Sequence, residues 1–365
     1  LGNALRELGR LEEAVVSFSE AIALKPDSAI AHSNLGYTLK ELGRLDEAEA
    51  NLTRAIALQP DLAEAHNNLG LTLKELGRLD KAEASYNQAI ALKPDLAEAH
   101  FSLARLHLLQ GKLDEGLQAY DWRLKVKDNI APLPNPNFAW DQNSGVRDKR
   151  FLVYEEQGLG DIIQFSRYLT MLEDKGAIVT FKVTPRLHKL LRTMRNRVKL
   201  IEGHHDESEK DFEIPLMSLP LMFKTKISNI PSQNSYLFAD PEKVKSISGR
   251  LSGGNFKIGI CWQGAISKID TGRSFPLTLF SEISALPDIE LVSLHKGEGE
   301  SQLASIDFRL NNLGPSLDTE QDAFLDTAAV MMNCDLIITS DTAIAHLAGA
   351  LGCPTWVALK YIPDW

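Results

Sequence analysis

The chain has 365 residues, of which 44% are hydrophobic and 24% charged, and its formal net charge at pH 7 is −10. This length is enough for two or three domains, and the composition is that of an ordinary globular protein. The acidic balance argues against a general nucleic-acid-binding or membrane-surface role, since both need basic patches, and no apolar run is long enough to predict a transmembrane segment.

The first third of the chain repeats with a period of 34 residues. The segments that begin at Ala31 and Ala65 are nearly identical, and leucine, glycine and proline recur at matching positions in each unit. This spacing is typical of tetratricopeptide repeats, each of which is a pair of helices. We therefore predict an α-solenoid over residues 1–128, with about 3.5 repeats stacked into a superhelix and the first of them truncated.

Small residues take fixed places within each predicted repeat. Gly43 and Gly77 are placed to end the first helix of their units, where a left-handed conformation costs glycine little. Ala48 and Ala82 are small enough to let the second helix pack closely against the first. In the fourth unit Gly116 replaces this alanine, so we interpret that unit as a transition to the next domain.

Two asparagines mark the surface predicted to line the concave side of the superhelix. Asn34 and Asn68 precede the Leu-Gly pair on the first helix of their units. They resemble the asparagine ladder with which protein O-GlcNAc transferases hold a peptide backbone. A carboxamide suits that task because it offers both a donor and an acceptor. We expect this surface to bind a protein or peptide; the alternative is an ordinary solvated polar face.

A proline- and asparagine-rich linker is predicted over residues 129–149, followed by a Rossmann-like lobe over residues 150–245. In that lobe an apolar run leads into the turn EEQGLGD, a helix and a second strand. Gly158 and Gly160 would let a ligand approach the start of the helix, where the dipole favours anions. Asp161 stands at the same place; the alternative makes it only a helix cap.

A second Rossmann-like lobe is predicted over residues 255–365. Its strands run into three loops, which carry Trp262, Lys296–Glu298 (with Gly297 between them) and Ser340–Thr342. A polar loop after Trp262 adds Lys268 and Arg273. Ligands of doubly wound sheets bind beyond the carboxyl ends of the strands, so we expect these loops to meet.

The segment SDTAIAHLAGALG is the strongest chemical motif in the chain. Ser340, Asp341 and Thr342 follow a strand and start a helix, whose free N–H groups and dipole form an anion site. His346 lies about one turn further on the same face. The spacing also predicts that Gly349 faces the sheet with its neighbouring alanines. The alternative is a capped helix beside a core histidine.

The order of these motifs resembles that of heptosyltransferase-type glycosyltransferases of family nine. More closely, it is similar to bacterial proteins that fuse such a module to tetratricopeptide repeats. The resemblance implies a GT-B fold of two Rossmann-like lobes, the second one C-terminally truncated here. It further implies inverting transfer of a sugar from a nucleoside diphosphate, with no metal and no other cofactor.

The resemblance also implies roles for single residues. Asp161 matches the general base. Asp341, Thr342 and His346 match the donor signature Asp-Thr-Gly-x-x-His, in which Ala343 replaces the glycine. Toward the donor phosphates the match is Arg273, or alternatively Lys268, together with Gly158, Gly160 and Ser340. Toward the nucleoside the matches are Trp262, Lys296, Gly297 and Glu298.

Three functions follow as hypotheses. The first is a transferase whose polypeptide acceptor is recruited by the repeats. The second is a non-catalytic scaffold with a degenerate GT-B module, which Ala343 favours. The third is a heptosyltransferase-like enzyme that acts on a cell-surface glycan. It would need a basic first-lobe surface, for which residues 186–199 are the candidate, although such a stretch is also typical of a solvated face.

The cysteines bear on the compartment. Cys261, Cys334 and Cys353 form no C-x-x-C pair and no even framework. This pattern favours a reducing environment and predicts a cytoplasmic protein.

Overall fold

A computed structural model describes residues 1–126, 134–141, 144–195, 197–202, 210–231, 235–251, 253–264, 272–313, 317–318, 323–363 and 365. Contacts between Cα atoms divide the chain into two compact units. The first unit contains Leu1–Asn129 together with the short segments Lys224–Ile227 and Tyr361–Trp365. The second unit contains Ile130–Phe223 and Ser228–Lys360.

The first unit is a series of helix pairs. Its helices are α1 (Gly2–Glu7), α2 (Leu11–Leu24), α3 (Ala29–Glu41), α4 (Leu45–Leu58), α5 (Ala63–Glu75), α6 (Leu79–Leu92), α7 (Ala97–Leu109) and α8 (Leu113–Tyr120). Each helix packs against the next one in the chain, and α3, α5 and α7 also contact one another in succession. The helix pairs predicted from the repeat period are therefore present, with α3, α5 and α7 forming one layer.

Small residues explain why the paired helices approach so closely. Ala48 and Ala82 have no exposed surface. A methyl group on Gly70 would lie 2.5 Å from Cε1 of the fully buried Tyr86. Only glycine fits at such a crossing, because interiors are packed to near-crystalline density.

Glycine also ends the first helix of each unit, as predicted. Gly43 and Gly77 both have φ of 75°, in the left-handed region that glycine adopts without a steric penalty. The fourth unit keeps the helix pair despite its altered sequence. Its Gly116 packs against α7, where a methyl group would lie 2.6 Å from Cγ of Leu108.

The second unit holds two four-stranded sheets. The strands are β1 (Arg150–Tyr154), β2 (Ile178–Lys182), β3 (Lys199–Ile201), β4 (Phe212–Pro215), β5 (Phe256–Cys261), β6 (Ile289–Ser293), β7 (Leu336–Ser340) and β8 (Thr355–Ala358). Their orders are β3-β2-β1-β4 and β6-β5-β7-β8, and every pair of neighbours is parallel. The predicted α/β region with parallel sheets is therefore confirmed.

Short helices connect these strands. They are α9 (Leu159–Phe165), α10 (Arg167–Asp174), α11 (His188–Leu191), α12 (Leu219–Met222), α13 (Pro241–Ser248), α14 (Ser281–Ser284), α15 (Leu325–Met331) and α16 (Ala343–Leu351). Because all strands of a sheet are parallel, the turns that follow them lie along one edge. The turns after β1, β5, β6 and β7 carry the residues singled out above.

Part of the predicted linker belongs to the first sheet. Ala139 forms a parallel bridge with Glu213 of β4, and the Glu213 carboxylate accepts a bond from the Asn135 N–H at 2.8 Å. This segment therefore covers the edge of the sheet, which would otherwise expose unpaired backbone groups.

Candidate functional site

The start of α16 forms the centre of the candidate site. Thr342 is its N-cap, and the Thr342 hydroxyl accepts a hydrogen bond from the Ile344 N–H at 3.3 Å. Behind it, Thr339 Oγ1 lies 3.4 Å from Thr342 Oγ1, and Ser340 is fully buried. The helix has nine residues, so its first N–H groups and its dipole favour an anion beyond the end of β7.

Arg273 adds a positive charge to this helix start. Its Nη1 donates to the Asp341 carbonyl at 3.4 Å. A methyl group on Gly264 would lie 3.1 Å from the Arg273 Nε and 3.2 Å from the Thr342 Cγ2. The turn after β5 is thus closed against Arg273 and Thr342, and the guanidinium stands beside the free end of the helix. Such a pairing suits a phosphate.

Asp161 lies in the first turn of α9, with Gly158 as the N-cap. Its Oδ2 accepts a hydrogen bond from the Gly158 N–H at 3.0 Å. This is the return half of a capping box, in which an acidic residue at the third helical position bonds the N-cap backbone. The structure thus gives Asp161 the capping contact that the sequence offered as the alternative to catalysis.

Gly160 brings the two lobes together. A methyl group on Gly160 would lie 2.8 Å from the His346 Cδ2 and 3.2 Å from the Ala343 Cα. Helix α16, rather than open space, therefore occupies the room that glycine leaves in the EEQGLGD turn. As a result the first turn of α9, which follows β1 of the first sheet, packs against the first turn of α16, which follows β7 of the second sheet.

Burial favours the neutral form of His346. Burial lowers its pKa below the ordinary value; Asp341 opposes this shift and Arg167 adds to it. A neutral imidazole still offers one donor and one acceptor. His346 can therefore donate to a phosphate or hydroxyl oxygen, but it does not add positive charge.

Arg167 and Tyr236 connect the two lobes, and neither was predicted from the sequence. The Arg167 Nη2 donates to the Tyr236 hydroxyl at 3.2 Å, and that hydroxyl donates to the Ile163 carbonyl of α9 at 2.9 Å. The Tyr236 N–H donates to the Ala350 carbonyl of α16 at 2.9 Å. These residues are distant in sequence and meet only after both sheets have formed, so no motif or period could point to them.

The turn after β6 is supported by a buried aromatic pair. Trp262 is fully buried, its ring stacks on His295 with centroids 4.1 Å apart, and its Nε1 donates to the Gly299 carbonyl at 3.3 Å. Trp262 was predicted on the nucleoside side; the structure places it beneath that turn. Its partner His295 was missed, and burial lowers the His295 pKa.

The residues predicted to contact the nucleoside lie at the surface beside a cavity. Lys296, Gly297 and Glu298 are exposed, and the Lys296 ammonium donates to the carbonyls of Leu317 and Asp318. The cavity has a volume of about 100 Å³ and is lined by Ser293, Leu294, His295, Lys296, Glu300, Asn312, Leu317, Thr327 and Val330. It opens at the same sheet edge as the start of α16.

The other predicted residues lie elsewhere. Asn34 and Asn68 are partly buried on α3 and α5. Their backbone carbonyls accept hydrogen bonds from the hydroxyls of Thr38 and Thr72. These two asparagines thus hold equivalent places in successive repeats. Lys268, the alternative to Arg273, lies outside the described residues.

The described residues contain no group of three or more His, Cys, Asp or Glu side chains that could hold a metal ion. None of their helices combines the length and the apolar character needed to cross a membrane.

Comparison with known proteins identifies the repeats. Family models of the TPR repeat match residues 2–43, and models of the tetratricopeptide repeat match residues 27–95 and 97–122. Protein FlbA of Caulobacter vibrioides is 26% identical over 249 residues, a match that covers 61% of this chain and 41% of FlbA. The match is longer than the repeats, so it extends into the α/β region, and the chain spans less than half of that relative.

Two solved structures are similar to about a third of the chain. The crystal structure of MamA is 30% identical and covers 34% of this chain and 73% of its own, with a TM-score of 0.32. The second domain of human RPAP3, solved in complex with an HSP70 peptide, is 25% identical and covers 29% and 88%, with a TM-score of 0.28. The prediction of tetratricopeptide repeats at the start of the chain is confirmed by the family models.

Proposed function

We propose that the second unit is a GT-B glycosyltransferase module that transfers a sugar from a nucleoside diphosphate to a polypeptide recruited by the repeats. One observation carries the proposal: the start of α16, with Thr342 and Arg273, faces the start of α9, with Asp161, across two parallel sheets. An anion site opposite a carboxylate is the arrangement that transfer from a sugar diphosphate to a hydroxyl requires.

The donor would lie along the carboxyl edge of the second sheet. Its diphosphate would accept bonds from the first N–H groups of α16 and from Arg273, which stabilise the charge that develops on the leaving group. His346, being neutral, would donate one further bond. The nucleoside would extend toward the cavity of about 100 Å³ beside Lys296.

The acceptor would approach from the first sheet. Its hydroxyl oxygen forms a bond to the anomeric carbon while the bond from that carbon to the diphosphate oxygen breaks. Asp161 would take the hydroxyl proton, and the bond from the Gly158 N–H fixes the orientation of the carboxylate. The repeats would hold the polypeptide through Asn34 and Asn68.

Nucleotide binding tests the donor site. Calorimetric titration of the full chain with UDP, GDP, ADP and the matching monophosphates should show one diphosphate that binds. Arg273→Gln should weaken that binding about tenfold or more, since a charge-assisted pair is lost. Arg309→Gln is the matched control, because Arg309 is an exposed cation on another part of the second unit. An equal loss in the control, or no binding at all, would contradict the donor site.

Transfer itself needs a second assay. Radiolabelled sugar nucleotides incubated with the full chain and a lysate should label protein, and Asp161→Asn should abolish the label. If the Asp161→Asn variant still labels protein, Asp161 is not the catalytic base. Label that enters a glycan instead of protein supports the heptosyltransferase-like alternative.

The scaffold alternative is favoured by one specific feature. The Asp161 carboxylate already accepts a hydrogen bond from the Gly158 N–H, and α16 occupies the space beside the neighbouring Gly160. A scaffold predicts that none of the nucleoside diphosphates binds, so the same titration separates the two functions.

A further inference from the structure

A cluster of exposed cations follows β2 in the first sheet. Residues 185–201 contain six lysines and arginines and no aspartate or glutamate, in a chain whose net charge is −10. All six side chains are exposed: Arg186, Lys189, Arg192, Arg195, Arg197 and Lys199. Together they are the basic surface.

The apolar residues of this segment hold the cations outward. Leu187, Leu190, Leu191 and Met194 are buried, at the spacing that places them on one side of a helix. Between them Arg186, Lys189, Arg192 and Arg195 recur every three residues. Of these four, Lys189 lies in α11, Arg186 lies in the single 3-10 turn that precedes it, and Arg192 directly follows it. The basic surface is therefore a group of like charges gathered around one short helical segment.

Lys189 has a polar or electrostatic contact within the chain, whereas other cations of the basic surface do not form an ion pair with any residue that the structure describes. These are Arg186, Arg192 and Lys199. The Arg195 guanidinium lies over the Phe238 ring at 4.4 Å, a contact that leaves its charge in place. Like charges that lie close together repel one another, so these exposed cations would attract an anionic partner.

We propose that the basic surface binds a short acidic segment of a polypeptide. A membrane is disfavoured because a surface-bound helix inserts its apolar face into the lipid, and here that face is buried in the lobe. A long nucleic acid is disfavoured because the rest of the chain is strongly acidic and repels it. A short segment lies within about one Debye length, ~8 Å at physiological salt, and senses mainly the local positive charge.

The start of the basic surface lies near the carboxyl edge of the first sheet. The segment begins just after β2, whose parallel neighbour β1 leads to Asp161, so Arg186 lies toward the edge of the sheet that carries Asp161. The assignment of the acidic segment to the acceptor polypeptide rests on the proposed sugar transfer. Binding of an acidic segment to the basic surface does not depend on it.

Fluorescence anisotropy with the full chain tests the binding. The probe is a labelled glutamate-rich peptide, and a scrambled lysine-rich peptide is the negative probe. Arg186→Glu with Arg192→Glu should weaken binding of the acidic peptide by about tenfold or more at low salt, since two attractive charges become repulsive. Arg186→Gln with Arg192→Gln should give a smaller loss. Lys245→Glu with Arg309→Glu changes the net charge equally at exposed sites elsewhere and should bind like the wild type.

Each outcome decides. Loss confined to the basic-surface variants, with unchanged circular dichroism and a decline in affinity as salt rises, supports the proposal. Unchanged binding in both basic-surface variants overturns it, as does an equal loss in the control. Tighter binding to phosphatidylserine vesicles or to an oligonucleotide than to the acidic peptide also overturns it. Nucleoside diphosphate affinity of the same variants is measured separately, so a failure of the donor site remains distinguishable.

Discussion

Gly160 in the first turn of α9 lies directly against Ala343, the first residue of α16: a methyl group on Gly160 would be 3.2 Å from the Ala343 Cα. The glycosyltransferase signature that residues 341–346 resemble carries glycine at the place of Ala343, and here a glycine stands on the facing helix instead. The approach of the two helices thus depends on Gly160. Asp161 and Thr342 are the chain neighbours of these two contacting residues.

Gly160→Ala should separate the two helices. The added methyl group meets the Ala343 backbone, which cannot move without shifting α16, so we expect a loss of about 1–3 kcal/mol in the stability of the second unit. Urea denaturation followed by the fluorescence of the buried Trp262 measures this loss. Hydrogen exchange in the first turn of α16 should rise in parallel.

Gly158→Ala is the matched control for that variant. A methyl group there meets only the Asp161 Oδ2 at 3.4 Å, an ordinary contact, and φ is −86°. We expect a loss of roughly 0.5 kcal/mol from the poorer N-cap alone. If both variants lose equal stability, the contact between the two helices is not the reason for Gly160.

The repeats were predictable because every part of their pattern is local. A 34-residue period, a glycine at each turn and an alanine at each crossing determine a helix pair without knowledge of distant contacts. The carboxyl edges of the sheets were predictable for a related reason. Parallel strands place the turns after them on one side, so Arg273 meets Asp341 there.

What the sequence could not show are contacts between elements that are far apart in the chain. The neighbours of Gly160 belong to a helix about 180 residues away, and Trp262 is stacked on His295 from the turn after β6. The prediction that Gly349 faces the sheet was wrong: Gly349 is exposed. The inward side of α16 is defined by the buried residues Leu347, Ala348, Ala350 and Leu351. At about 100° per residue, Gly349 lies opposite that side.

Thr342→Val should remove the N-cap hydrogen bond of α16 and destabilise its first turn. The variant keeps the shape of threonine but loses the oxygen that accepts the Ile344 N–H. We expect a loss of about 1 kcal/mol and faster hydrogen exchange in the first turn of α16. Thr342→Ser retains the oxygen and should stay close to the wild type. If serine and valine behave alike, the hydroxyl does not cap the helix.

The stability of the second unit should fall between pH 7.5 and pH 5.5. Burial lowers the pKa of His346 in the folded chain, so on acidification the unfolded chain binds the proton first. The stabilising contribution is complete above the ordinary pKa of about 6.5 and is lost as the pH falls through the folded value.

His346→Gln should flatten this pH dependence, as measured by thermal melts at a series of pH values. Some dependence should remain, because burial also lowers the pKa of His295. A glutamine variant whose melting temperature follows pH as steeply as the wild type would show that His346 does not titrate differently on folding.

Gly70→Ala should destabilise the repeats. The methyl group would lie 2.5 Å from the Tyr86 Cε1, and the fully buried Tyr86 ring has no room to move, so we expect a loss of about 1–3 kcal/mol. Asn68→Ala on the same helix is the control; it should leave the melting temperature nearly unchanged, because Asn68 is only partly buried. A destabilised control would give Asn68 a structural role in place of peptide binding.

Gly349→Ala should stabilise the second unit. Gly349 lies inside α16, is exposed, and has no atom within 4 Å of the place where a methyl group would be. Alanine restricts the unfolded backbone and favours the helix, so we expect a gain of about 0.5–1 kcal/mol in urea denaturation. Gly160→Ala makes the same chemical change where α16 fills the space, and it should have the opposite sign. A loss of stability in Gly349→Ala would mean that this face of α16 is covered in solution, and protection of its amides from hydrogen exchange would then identify the covered residues.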